Sequence, residues 1–367
     1  MNPTINNVSK NNNSLLFTLS GVNVSIANGL RRTIISDIPI VVFETTPYER
    51  NKANIISNTS RFNNEILKQR LSCIPIHIKD LEMPLENYIM EVEVENNSDT
   101  IMYVTTEEFK IKNITTNEYL SNKDTREIFP PNLDTGYYID FVRLRPRISD
   151  DIPGEKIHLT CKFSISTAKV DGTYNVASTV AYGFTQDKAN IEIALAKKKQ
   201  EWKDQGMTKE ENIFQEKNWR ILDAHRIIIK DSFDFIIESI GVFTNEELTQ
   251  KGCTILIDKL KNFDNLILDK LNIIQSDNTM TNSYDIILVN EDYTLGKILE
   301  YFLYSKYYEG DKSLTYCGFK KMHPHDTESI IRLAYDKPVE IIDIKQNLKE
   351  CVVDAINIYS QIFKKIK

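Results

Sequence analysis

Between residues 24 and 39 the apolar residues Ile26, Leu30, Ile34 and Ile38 recur every four positions, the spacing that draws one stripe along a helix. Ser25 is of the type that caps a helix start, and Pro39 ends the run, because proline has no N–H and disfavours helical geometry in the residue before it. Gly29 in mid-helix costs roughly 1 kcal/mol against alanine, which fits a site where something packs closely. Residues 294–303 repeat the pattern with no gap: Thr294 stands for Ser25, and Leu295, Leu299 and Leu303 stand for Ile26, Leu30 and Ile34.

Around these two helices the periodicity alternates between strand and helix. Leu15, Phe17 and Leu19 predict a strand entering the first helix. Residues 40–43 read as a short buried strand, 64–71 as a short helix, and 82–172 as a β-rich domain in which Met90, Val92 and Val94 alternate with Glu91, Glu93 and Glu95. The Asp150–Asp151 pair beside Pro153 and Gly154 reads as a turn. Residues 187–222 are charged and helical, with a capping box at Thr208–Glu211. A strand over 233–240 is followed by a helix with the stripe Leu248, Gly252, Leu256, Leu260 and Phe263. The polar run 276–283 reads as a linker, which at eight residues reaches at most about 28 Å. Strands over 285–289, 315–319 and 329–335 then lead to a closing helix over 346–366, with Leu348, Val352, Ala355 (or Ile356), Tyr359 and Phe363 on one face.

Composition narrows the classes. The 367 residues suffice for two or three domains, and 41% hydrophobic with 26% charged residues is ordinary for a globular chain. A net charge of −7 argues against holding DNA by counterion release. No apolar run is long enough to span a membrane, and the start lacks a signal-peptide core, so an intracellular protein is predicted. The five cysteines (Cys73, Cys161, Cys253, Cys317, Cys351) are scattered with no CxxC pair, which predicts neither disulfides nor zinc. Phosphate loops, hydrolase elbows and metalloprotease motifs are missing. His323 and His325 read as part of a polar turn, and no catalytic residue, metal or cofactor is predicted.

The run from Val24 to Pro39 resembles the assembly helix of the bacterial RNA polymerase alpha subunit and of the third-largest subunit of eukaryotic RNA polymerase II. Residues 58–60 and 65–76, the latter reading Glu-Ile-Leu-Lys-Gln-Arg-Leu-Ser-Cys-Ile-Pro-Ile, resemble that family's next signature. Residues 290–296, Gly318–Phe319 and His323-Pro324-His325 are similar to the small eleventh subunit, the third subunit's dimer partner. The resemblance implies both partners fused in one chain, an arrangement associated with large cytoplasmic DNA viruses. Several family members carry a four-cysteine zinc site in the second domain, where this sequence has only Cys161.

The implied fold is α+β: two alpha-like dimerisation modules pairing through amphipathic helices, plus an inserted β-rich domain. The third-subunit-like module would be discontinuous, over 1–46 and 223–274. The insert would cover 47–222, with its charged helical part at 187–222. A linker at 275–283 would lead to the eleventh-subunit-like module at 284–367. Ile26, Leu30, Ile34, Leu295, Leu299 and Leu303 would form the intramolecular dimer interface. Arg31 and Arg32 lie off the stripe, where residues alone suggest a solvated face; the resemblance implies that they, with Arg70, meet a large subunit. The implied function is a non-catalytic assembly platform of a DNA-directed RNA polymerase. Its partners would be the largest and second-largest subunits and small subunits, with DNA met only through the complex and no membrane. The location would be the host cytoplasm (viral factory) and virion if viral, otherwise the nucleus. The alternative is a stand-alone nucleic-acid-binding α+β protein using Lys197, Lys198 and Lys199.

Overall fold

The computed structural model describes residues 1–11, 13–149 and 152–366, so the Asp150–Asp151 turn lies outside the described residues. The chain begins with β1 (Thr4–Asn11), β2 (Ser14–Ser20), α1 (Val24–Ser36), β3 (Ile40–Val42) and β4 (Ala53–Asn58). It continues through α2 (Asn64–Ser72), β5 (Tyr88–Glu95), β6 (Met102–Thr105), β7 (Lys110–Asn113), α3 (Asn122–Ile128), β8 (Asp140–Leu144), β9 (Lys156–Lys162) and β10 (Ser164–Ser166). Next come β11 (Ala177–Gln186), α4 (Lys188–Asp204), α5 (Lys209–Leu222), β12 (Ile228–Ser239) and α6 (Asn245–Asp269). The last part holds β13 (Asn272–Gln275), β14 (Ser283–Val289), α7 (Tyr293–Leu303), a π-helical turn (Tyr304–Gly310), β15 (Leu314–Lys320), β16 (Glu328–Tyr335) and α8 (Ile341–Lys365). This is the α+β class that the resemblance implies.

Contacts group these residues into two compact units, one of residues 1–34, 179–238 and 245–367, the other of 35–178 and 239–244. The charged pair α4–α5, which the sequence reading placed with the insert, belongs to the first unit. Its own small core of Ile191, Leu195, Trp202, Trp219 and Ala224 holds the two helices together.

The first unit contains the same arrangement twice. One four-stranded sheet has the order β1-β2-β12-β11 and the other β13-β14-β16-β15. Each module runs edge strand, inner strand, short helix, outer strand, inner strand and then a long helix; α6 and α8 are both 25 residues long. Strand β1 escapes a pattern-based reading because it is a polar, exposed edge strand, paired among the described residues only with β2. The polar run 276–283 is not a linker between modules. It forms the turn between β13 and β14 and the start of β14, with the Ser276 N–H donating to the Ser283 carbonyl at 2.9 Å. Asn, Asp and Ser suit a hairpin turn as well as a tether, which is why composition misleads here. Only Lys270 and Leu271 separate α6 from β13.

The second unit is the β-rich part, with a sheet in the order β4-β9-β5-β7 and the strand pairs β6-β8 and β10-β3. Met90 and Val92 of β5 are fully buried, as their alternation with glutamates requires. Phe43, Phe109, Phe129, Phe141 and Phe163 fill its core, and Leu67 and Leu71 seat α2 on it.

Candidate assembly interface

The interface between the two modules of the first unit is made by helices, and the sequence explains how they start. The N-terminal caps are Asn23 and Asp292, two residues before Ser25 and Thr294. Asn23 Oδ1 accepts the Ser25 N–H at 2.9 Å, and Asp292 Oδ1 accepts the Thr294 N–H at 2.7 Å. The gapless correspondence of the two helices therefore extends to their caps, displaced from where the hydroxyl residues suggested.

Helices α6 and α8 lie side by side and antiparallel. Gln250 Nε2 donates to the Ile366 carbonyl at 3.0 Å at one end, and Lys345 Nζ to the Leu268 carbonyl at 2.8 Å at the other. Leu248, Cys253, Leu256, Leu260, Phe263 and Ile267 are buried on α6; Ile344, Leu348, Val352, Ala355, Tyr359 and Ile362 are buried on α8. Ala355 takes the position left open between it and Ile356, and Phe363 is exposed while Ile362 faces inward. Lys365 Nζ also donates to the Pro3 carbonyl, joining the end of α8 to the first module.

All six stripe residues, Ile26, Leu30, Ile34, Leu295, Leu299 and Leu303, are buried. Leu30 and Ile34 press on Gly252 of their own module, where a Cβ would come within 2.6 Å of Ile34 Cγ1. Beside the stripe, Gly29 faces the second module. A Cβ on Gly29 would stand 2.8 Å from the Tyr359 hydroxyl and 2.9 Å from Ile298 Cδ1, so the mid-helix glycine is explained by α8 and α7 closing on it. Tyr359 is fully buried and donates its hydroxyl to the Ile26 carbonyl at 3.1 Å; burial pushes its pKa well above the ordinary value. Gly29, Ile298 and Tyr359 were not singled out as interface residues, although the glycine's mid-helix cost was the available signal.

The three arginines separate by environment. Arg32 donates Nε to Thr294 Oγ1 at 2.9 Å and a terminal nitrogen to Asp292 Oδ2 at 3.2 Å, joining α1 to the cap of α7. Arg70 donates to the carbonyls of Phe141 at 2.7 Å and Asp140 at 2.6 Å, fastening α2 to β8. Arg31 donates Nε to Asn28 Oδ1 at 2.9 Å, and its terminal nitrogens have no other hydrogen bond among the described residues. Its cation opposes the burial that raises the Tyr182 pKa.

Other candidate chemistry is thin. The His323 and His325 rings sit 5.2 Å apart in an exposed turn. Among the described residues no group of three or more His, Cys, Asp or Glu is placed to hold a metal ion. Burial pushes the Cys161 and Cys253 thiols far up, the opposite of what a nucleophile or metal ligand needs. Lys198 pairs with Glu201 at 2.6 Å and Lys199 with Glu216 at 2.7 Å, so two of the three clustered lysines are neutralised within their own hairpin.

Two sheets of the same strand order, each followed by a long helix that lies against the other, define a dimerisation scaffold. The chain belongs to the RNA polymerase Rpb3/Rpb11 dimerisation domain family, which it matches over residues 16–260. It is 26% identical over 294 residues to the DNA-directed RNA polymerases I and III subunit rpac1 of Dictyostelium discoideum, covering 70% of this chain and 79% of that one. Against DNA-directed RNA polymerase subunit Rpo3 of Pyrococcus horikoshii it is 24% identical over 267 residues, 70% of this chain and 94% of that one. A shorter stretch of 81 residues is 35% identical to DNA-directed RNA polymerase II subunit RPB3 of Schizosaccharomyces pombe, 22% of this chain and 24% of that one.

Proposed function

We propose that this chain is the non-catalytic assembly platform of a multisubunit DNA-directed RNA polymerase, and that it carries the third-subunit-like and eleventh-subunit-like partners in one polypeptide. The observation that carries the reading is the duplicated module. The family match ends at residue 260, yet residues 272–365 form a second sheet with the strand order of the first, capped by a second long helix. The fusion makes pairing intramolecular, with an effective concentration on the millimolar scale or above.

The partners would be the largest and second-largest polymerase subunits, together with small subunits. Arg31 is the first choice for the docking cation, since its guanidinium keeps open donors for a carboxylate. Arg32 and Arg70 would act beside it by shaping the surface they already brace. Fusion of these two subunits favours a large cytoplasmic DNA virus as the source, with the host cytoplasm and the virion as its location; a cellular polymerase subunit would be nuclear in a eukaryote.

The test is purification of the tagged full chain from its native source, with the bound chains identified. Recovery of two large polymerase subunits in equal amounts supports the platform. A chain that comes alone and retards DNA by itself would reinstate the nucleic-acid-binding alternative, against which the paired lysines of α4–α5 already weigh.

A further inference from the structure

The second module's sheet ends on β15, which pairs on one side with β16 and on the other with no strand among the described residues. An open edge is a row of unpaired N–H and C=O groups, ready to template another strand. Thr315 is an extra residue in the ladder, since Leu314 faces Tyr335 and Tyr316 faces Ala334; from Tyr316 to Lys320 the register is regular. No proline interrupts the edge.

A π-helical turn stands beside the start of this strand. Such turns are rare and concentrate at functional sites. This one is held from behind: Lys306 Nζ donates to Glu350 Oε2 on α8 at 2.6 Å, and the Tyr307 hydroxyl donates to the same oxygen at 3.0 Å. With Tyr307 turned inward, Tyr304 and Tyr308 face out and stack on each other at 4.7 Å between ring centroids, each more than a third exposed. They wall an open groove of about 620 Å³, completed by Glu309, Lys312, Leu314 and Thr315. Charge along the edge is polarised. Glu309 and Lys312 balance each other at the groove, while Lys320 and Lys321 stand together at the far end of the strand.

We propose that β15 and the tyrosine groove together bind an extended segment of a partner protein, added antiparallel to the sheet. The added segment starts beside Lys320 and Lys321 and so is acidic at its N-terminal end. It finishes at the groove with an apolar or prolyl residue against Tyr304 and Tyr308. Backbone pairing supplies strand addition, and the tyrosines with the charge polarity supply direction and selectivity.

The experiment uses the full-length protein and a labelled short peptide: aspartates, then alternating valine and threonine, then a closing proline. Fluorescence anisotropy should detect saturable binding, and hydrogen exchange should show new protection over residues 316–320. Methylating one alternate set of peptide nitrogens should abolish binding, while methylating the other set leaves it intact. Replacing Tyr304 and Tyr308 together by alanine should weaken binding about tenfold while the full chain still melts cooperatively. The peptide of reversed sequence should bind more weakly. Absence of binding, equal loss from both methylated sets, or indifference to the tyrosine pair overturns the proposal. So does a concentration-dependent dimer in sedimentation that the tyrosine variant abolishes, since the occupant would then be a second copy of this chain.

Discussion

Gly29→Ala separates two effects of opposite sign. In an isolated helix the change stabilises by roughly 1 kcal/mol, because glycine loses the most backbone freedom on folding. Here the new methyl would meet the Tyr359 hydroxyl at 2.8 Å and Ile298 Cδ1 at 2.9 Å, both on fully buried side chains. Overpacking of this kind typically costs about 1–3 kcal/mol, so the helix gain is offset and a net loss of up to roughly 2 kcal/mol is expected. Tyr359→Phe removes the nearer atom together with its 3.1 Å hydrogen bond to Ile26, at a cost of about 1 kcal/mol. The double variant should then be less unstable than the sum of the single ones, with a coupling of roughly 0.5–1.5 kcal/mol. Urea melts of the full chain for the four members of this cycle measure it. A stabilised Gly29→Ala with additive behaviour in the cycle would show that α1 does not press on α8, and the pairing of the modules described above would be wrong.

Three further outcomes are expected. Arg31→Ala should leave the melt within about 0.5 kcal/mol yet reduce copurification of a large subunit at least tenfold, whereas Arg32→Ala should lose up to about 1 kcal/mol because its partially exposed tie to Asp292 and Thr294 is cut; unchanged copurification for Arg31→Ala would return it to a solvated face. Asp285, nearly buried and gripped by Arg332 through two 2.6 Å bonds, has its pKa lowered chiefly by that arginine. The pair's contribution should therefore be complete above the unfolded carboxyl pKa of about 4 and fade as pH drops through the lower folded value, and Arg332→Ala, its guanidinium partly screened by solvent, should cost roughly 1–2 kcal/mol at pH 7 and flatten that acid limb of a pH–stability curve. Residues 1–271 expressed alone should aggregate and be rescued by co-expressed 272–367, since the buried α6 face would otherwise meet water; a soluble, cooperatively melting 1–271 fragment would contradict this.

What the sequence made legible follows from where each signal arises. The stripes of α1, α6, α7 and α8 were readable because a buried helix face repeats at a fixed spacing, and β5 because one face is buried and the other charged. Strand β1 was not, since an exposed edge strand needs no apolar alternation. The crossing residues Ile298 and Tyr359 sat among many equivalent apolar positions until two helices were placed together. The hydrogen-bond partners of Arg32 and Arg70 were beyond reach for a related reason, because they lie 260 and about 70 residues away along the chain. Composition alone could not tell a hairpin turn from a tether at 276–283.

The two-residue junction between α6 and β13 has a consequence for supply. Two separately made partners arrive in unequal numbers, and the surplus one exposes its pairing face until it is degraded or aggregates. With Lys270 and Leu271 as the only separation, one reading frame delivers both halves at a ratio of one to one. Neither module accumulates without the other. Output of both modules is then set by a single translation rate.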